Sequence, residues 1–249
     1  MTCDIGKDEQ HYNRLRKGQS GYWKHMAAPR LRRRRIMEWV RRMMPGSVCD
    51  FGCGNGELLK MVAERMPEIR LAGIDITDNQ IAENREVYPN MGWYLADLAS
   101  EDYENPLGTG VDLGISSEVI EHVENHRAYV RNVFSSLNPG GALVLSTQSG
   151  TVYPTEKYVF HVRHWPASDM RELLAETGFT DIKVWNEGYP FHNLSKYIAN
   201  RDPDRMVKNF RVAEYGAKQL AVCWALRVLF LFNSTTKGAQ LFAVARKPR

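Results

Sequence analysis

The sequence predicts an α/β fold, a mostly parallel seven-stranded sheet covered by helices on both faces. Three observations carry this. From residue 47 onward, short β-rich runs alternate with amphipathic helical patterns, as strand–helix crossovers require. The first of those strands leads straight into a glycine-rich turn, Gly52-Cys53-Gly54-Asn55-Gly56. At 249 residues, 43% of them hydrophobic, the chain can bury one sizeable core but is short for two.

One domain is therefore expected over 1–249, with 1–46 as a helical, basic N-terminal cap. Residues 1–47 hold twelve Lys/Arg against four Asp/Glu, while the remainder is acidic and the whole chain carries +4. The run peaks at Arg30, Arg32, Arg33, Arg34 and Arg35, then Arg41 and Arg42. Leu31, Ile36, Val40 and Met43 or Met44 recur near helical spacing, which puts an apolar stripe on the domain and the arginines on the solvated side. Such a run is otherwise open to nucleic acid, anionic lipid or an acidic substrate. Nucleic acid is not the expected partner.

Within the ligand-binding core, 47–187, strands are expected at 47–51, 70–76, 91–96, 111–116, 142–147 and 179–185. Helices fall between them. One spans 55–66 and ends before Pro67. The next spans 78–88, with Asp78 as its N-cap. A third spans 126–137 and is stopped by the turn Asn138-Pro139-Gly140-Gly141. A fourth spans 167–177, started by Pro166 and ended at Gly178. A final strand, 241–245, lies in the last segment, 238–249. The long connection 188–237 is expected to be a functional insertion of one or two helices, roughly 203–232. Its stretch 220–232 is too apolar all round for a free surface helix and is expected to be buried within the protein. A dimer interface or a peripheral membrane contact are the other uses open to it.

The turn discriminates among nucleotides. A dinucleotide fingerprint built on Gly52 and Gly54 would require glycine where Glu57 stands, and no P-loop lysine follows. The pattern is Asp50-x-Gly52-x-Gly54-x-Gly56. A carboxylate at Asp50 repels a pyrophosphate but suits a ligand carrying an ammonium and a sulfonium. Over roughly 47–185 the sequence resembles the class I S-adenosylmethionine (SAM)-dependent methyltransferases, which implies a Rossmann-like fold, SAM as donor and S-adenosylhomocysteine as product. In that resemblance Asp50, Gly52, Cys53, Gly54 and Gly56 hold the methionine part. Asp75 with Ile76 binds the ribose, Asp97 with Leu98 takes the adenine, and Ser117 and Glu118 lie beside the methyl. The N-terminal segment with His11, Tyr12, Tyr22 and Trp23 is expected to fold over the donor.

Methyl transfer is an in-line displacement that needs alignment and exclusion of water. A hydroxyl or protonated amine also needs a base, for which His122, His161, His164 and His192 are the candidates, although proximity alone remains open. Tyr189, Phe191, His192 and Tyr197 are expected to line the acceptor pocket. The expected function is methylation of an O or N atom of a small organic molecule, a secondary metabolite or a sugar- or lipid-linked intermediate, with no metal. Two alternatives stay open. Glu118, Glu121 and His122, completed by His161 or His164, have the spacing of a divalent-cation site and resemble the metal-dependent RNA 2′-O-methyltransferases. A SAM-binding regulator without catalysis is the other. The four cysteines form no metal or disulfide pattern and the N-terminus has no apolar run, so a reducing cytoplasm is the expected compartment.

Overall fold

A computed structural model of the chain describes residues 20–210 and 214–249; His11 and Tyr12 lie outside them. Two helices, α1 (Ser20–His25) and α2 (Ala27–Met43), precede β1 (Ser47–Phe51) and α3 (Glu57–Ala63). Next come β2 (Arg70–Asp75), α4 (Asp78–Val87), β3 (Gly92–Leu95), β4 (Val111–Ser117), a single 3₁₀ turn Ile120–His122, and α5 (His126–Ser135). The chain continues through β5 (Leu137–Gln148), α6 (Pro154–Tyr158), α7 (Ala167–Thr177) and β6 (Thr180–Glu187). It ends with α8 (Phe191–Ala199), α9 (Pro203–Phe210), α10 (Ala217–Phe230) and β7 (Gln240–Arg246).

The seven strands form one sheet in the order β3-β2-β1-β4-β5-β7-β6. The pairs β1–β2, β1–β4, β2–β3 and β4–β5 are parallel, and β7 runs antiparallel to both its neighbours. Alternation along each strand splits the core in two. Val48, Leu113, Ile115 and Val144 face α2, α3 and α4 through Ile36, Leu59 and Ile81. Cys49, Phe51, Leu143 and Leu145 face α5 and α7 through Tyr129, Val133, Met170 and Leu174. The order reverses at β1/β4, so the crevice beyond the carboxyl ends of these strands is where a ligand sits in such a sheet.

Four expectations need correction. Thr77, not Asp78, flanks α4, and Asp78 is the first helical residue. The 138–141 segment is not a free turn but part of β5; its backbone is satisfied by the chain's last residues, through Gly140 N–H to Lys247 O (3.1 Å) and Lys247 N–H to Gly141 O (2.8 Å). Gly140, at φ +77°, supplies the bend that lets pairing continue. The arginine run is not simply solvated. Arg32 lies four residues before Ile36 and eight before Val40, on the same helix face, and is buried with them. Arg33 donates to Trp23 O (2.7 Å), and Arg35 pairs with Glu38 and Glu187. Finally, α10 is not buried. Among the described residues of α10 only Cys223 is enclosed, because the helix touches α2 and α8 along one edge and these leave its outer face uncovered.

Candidate functional site

The glycine turn follows from hydrogen bonding and close packing. Gly52 N–H (2.8 Å) and Cys53 N–H (3.0 Å) both donate to Ile74 O, which folds the chain back over the end of β2. Gly52, Gly54 and Gly56 all have positive φ, at +88°, +51° and +69°. A Cβ at Gly52 would come within 2.5 Å of Val119, and one at Gly56 within 2.6 Å of Trp93. Asp75 locks the turn from below. Its two carboxylate oxygens accept Gly54 N–H (2.8 Å) and Thr77 N–H (3.0 Å), and Asn84 donates to Gly54 O (2.7 Å). Tyr129 braces the other side, its hydroxyl donating to Phe51 O (3.1 Å) beside Ser116 Oγ (2.7 Å).

These strand ends open on a large cleft of about 2010 Å³. Single-ligand sites are commonly of order 300–1,000 Å³, so it has room for two molecules side by side. Asp50, Gly52, Cys53, Gly54, Asp75 and Ile76 line one end, continuing to Asp97 and Leu98. Asp97 is exposed, with one oxygen accepting Ala99 N–H (2.8 Å). Ser117, Glu118, His122, His161 and His192 line the other end, and Tyr22 and Trp23 also border the cleft. Gly56 and His164 stand behind the wall, as does Phe191; Tyr189 and Tyr197 are more than half exposed, on the exterior.

The far wall is one connected polar network. Glu118, at φ +57°, accepts from Gln148 Nε2 and from Gln240 Nε2 (2.9 Å), and its carboxylate faces Arg32 Nη1 at 3.6 Å. Burial opposes its charge, but Arg32, Gln148, Gln240 and Lys196 hold the carboxyl below its ordinary range, so it is ionised. Glu121 is the opposite case. Burial and then the Glu118 charge push it well up, so it is protonated; Thr147 Oγ1 donates to its Oε2 (2.8 Å). Lys196 bridges Gln148 Oε1 (2.9 Å) and Glu156 Oε1 (2.6 Å).

The histidines stack at the end of this network. The His122 and His161 rings meet edge-on at 4.7 Å, and His161 Nδ1 lies 3.0 Å from His164 Nε2. His164 Nε2 in turn lies 3.6 Å from Glu156. His122 Nδ1 lies 3.3 Å from Phe160 O. A carbonyl only accepts, so that nitrogen carries the proton and Nε2 carries the lone pair. Burial, then His122 and His164, press His161 down to about 2; burial presses His192 down to about 3 and lowers His164. The proposed metal set does not converge as expected. Among the described residues Glu121, His122 and His161 come together, as do Glu156, His161 and His164, but Glu118 belongs to neither group and its oxygens are committed to Gln148, Gln240 and Arg32.

Arg32, Gln148, Lys196, Glu156 and Tyr129 were not anticipated as site residues. For Arg32 the signal was available in its spacing to Ile36 and Val40. Lys196 and Gln148 meet only through the tertiary fold, 48 residues apart.

Residues 22–184 match a family model described as a methyltransferase domain. The trans-aconitate 2-methyltransferase of Methylobacterium nodulans is 28% identical over 143 residues, covering 57% of this chain and 54% of that protein. The chain thus spans about half the length of the curated relatives it matches. Among solved structures, Haemonchus contortus phosphoethanolamine N-methyltransferase 2 in complex with SAM superposes with a TM-score of 0.57 at 18% identity, over 87% of this chain and 53% of that one. The [4+2]-cyclase SpnF superposes with a TM-score of 0.54 at 18% identity, over 87% and 81%. At such identities the likeness is one of fold.

Proposed function

The chain belongs to the class I S-adenosylmethionine-dependent methyltransferases, and we propose that it methylates a hydroxyl or amine of a small organic acceptor. The observation that carries this is a single cleft whose two ends have different chemistry. One end is glycine backbone and carboxylates, and the other is a histidine pair on a polar wall.

The first end fits the donor. Each oxygen of Asp75 accepts one backbone N–H and keeps a second lone pair for a ribose hydroxyl. Asp97 keeps one oxygen for an adenine amino group. Asp50 and the glycines Gly52 and Gly54, whose lack of side chains lets a ligand come close, suit the methionine part. SAM supplies an electrophilic methyl, whose bond to sulfur breaks as the acceptor's lone pair bonds to carbon.

The second end handles the acceptor. His122 Nε2 takes the proton that the acceptor loses, and His161, kept neutral, adds no charge that would oppose the protonated His122. Arg32 and Lys196 are neutralised by Glu118 and Glu156, so the wall around His122 has little net charge. That favours an uncharged hydroxyl, as on a sugar- or lipid-linked molecule or a secondary metabolite, over the polyanionic acceptor named for the trans-aconitate enzymes. The three described cysteines are free thiols, which suits a reducing, cytoplasmic setting.

The test has two parts. S-adenosylhomocysteine should bind in calorimetry and raise the melting temperature, and Asp75→Ala should weaken that binding at least about tenfold, through loss of charge-assisted hydrogen bonds. Unchanged affinity in Asp75→Ala puts the ribose elsewhere. Transfer of labelled methyl to a panel of hydroxyl, amine and carboxylate acceptors then separates an enzyme from a SAM-binding regulator. Sensitivity to a chelator would revive the metal and RNA alternative.

A further inference from the structure

The outer surface of the 188–237 insertion carries an apolar face that the described residues leave bare. Leu220, Trp224, Val228 and Leu231 recur at four, four and three residues, so they share one side of α10 and its continuation. Trp224 is 66% exposed, Leu231 70% and Phe232 71%. Leu194 and Tyr197 of the neighbouring α8 are also about half exposed. Isolated exposed apolar residues are ordinary, but a contiguous face of this kind marks a contact surface.

Charge identifies the partner. Residues 20–43 hold eight Lys/Arg against one Asp/Glu, and residues 188–237 hold eight against three. The cap and the 188–237 insertion together carry +12 on a chain of net charge +4, and +9 once Arg32, Arg35 and Lys196, paired with Glu118, Glu187 and Glu156, are set aside; they also carry the apolar face. Part of that charge borders α10. Lys218 is exposed on the helix itself, Arg227 holds His25 O at 2.8 Å, and Lys24 and Arg30 sit alongside. Two such faces docked on each other would bring like charges together.

We propose that the outer face of α10, with the exposed side chains of α8, rests on an anionic lipid bilayer. At 14 residues α10 is about 21 Å long, short of the ~30 Å of a hydrocarbon core, so it lies along the surface rather than across it. Among the described residues no helix is long and apolar enough to cross a membrane. The inner side of the same helix, through Cys223 and Leu226, lines the cleft. The bilayer would then lie about one helix diameter, ~10 Å, from the acceptor end. The assignment rests on exposed side chains and charge, and stands apart from the proposed methyl transfer.

The test is co-flotation of the whole chain, without SAM, on vesicles of phosphatidylcholine alone and of phosphatidylcholine with phosphatidylglycerol. The chain should partition onto the anionic vesicles, weakly onto the neutral ones, and less as salt is raised. The double variant Trp224→Glu, Phe232→Glu should lower partitioning at least about tenfold with an unchanged melting temperature, since both side chains are exposed. No binding to anionic vesicles overturns the proposal, as does equal binding by the double variant. A dimer in sedimentation equilibrium that the double variant abolishes, without vesicle binding, assigns the face to a second copy instead. Loss of methyl transfer to a dissolved acceptor with vesicle binding intact would refute the function and leave this surface standing.

Discussion

His122 and His161 touch ring to ring, yet their surroundings differ. The carbonyl of Phe160 fixes the His122 tautomer and points its basic nitrogen away from Nδ1. His161 is held to about 2 by burial and by its two histidine neighbours, so it stays neutral throughout the working range. A titration of the reaction between pH 5 and 8 is therefore not expected from His161. His122→Gln should reduce kcat by ~10²–10⁴ and erase the acid limb of the pH–rate profile, as loss of a general base does. His161→Gln should reduce kcat while leaving that inflection in place. An inflection that follows His161 instead would reverse the two roles.

Among the elements, the glycine turn and α2 show how far local pattern reaches. Strand β1, the glycine turn, and the helix 167–177 with its Pro166 start and Gly178 stop were legible, because each obeys a short-range rule of alternation, capping or turn chemistry. Gly56 illustrates the rule's physical basis: at φ +69° with Trp93 where a Cβ would be, Gly56→Ala should destabilise by about 1–2 kcal/mol from backbone strain alone, read as a lower urea midpoint. The network of Glu118, Gln148, Lys196 and Glu156 was not legible, because its members come from four separate segments and no spacing links them. The lid misled for a different reason. Apolar composition says that a helix wants cover, not that the chain itself supplies it. The contrast can be measured. Ile36→Ala, inside the packed face of α2, should cost ~2–5 kcal/mol. Trp224→Ser, on the outer face of α10, should change stability by no more than about 0.5 kcal/mol. A large loss at Trp224 would mean that the face is covered by the chain after all.

For the whole molecule, burying so many titratable groups in one wall ties stability to pH, and the sign can be worked out group by group. His161 and His192 have folded values near 2 and 3, against 6.5 when unfolded, and His164 is lowered too. As pH falls below 6.5 the unfolded chain takes up these protons and the native chain does not, so stability present above 6.5 is lost on acidification. Glu121 runs the other way. Its folded value is raised, so its contribution is present below about 4.5 and is lost as pH rises. Between 4.5 and 6.5 Glu121 offsets at most one of the two histidines His161 and His192, so at least one is uncompensated, a net slope of at least about 1.4 kcal/mol per pH unit. Below 4.5 Glu118, lowered by Arg32 and its amide partners against the effect of burial, adds a further loss. Against a typical domain stability of ~5–15 kcal/mol, the slope of one uncompensated histidine amounts to a loss of about 3 kcal/mol between pH 6.5 and 4.5. Urea unfolding at stepped pH measures this directly, and His192→Gln, which cannot titrate, should flatten the slope between 6.5 and 4.5 by about one proton. A stability that stays level from pH 7 to 4.5 would mean that the histidines are hydrated, and that the wall opposite the donor is open to water rather than sealed as the transfer chemistry requires.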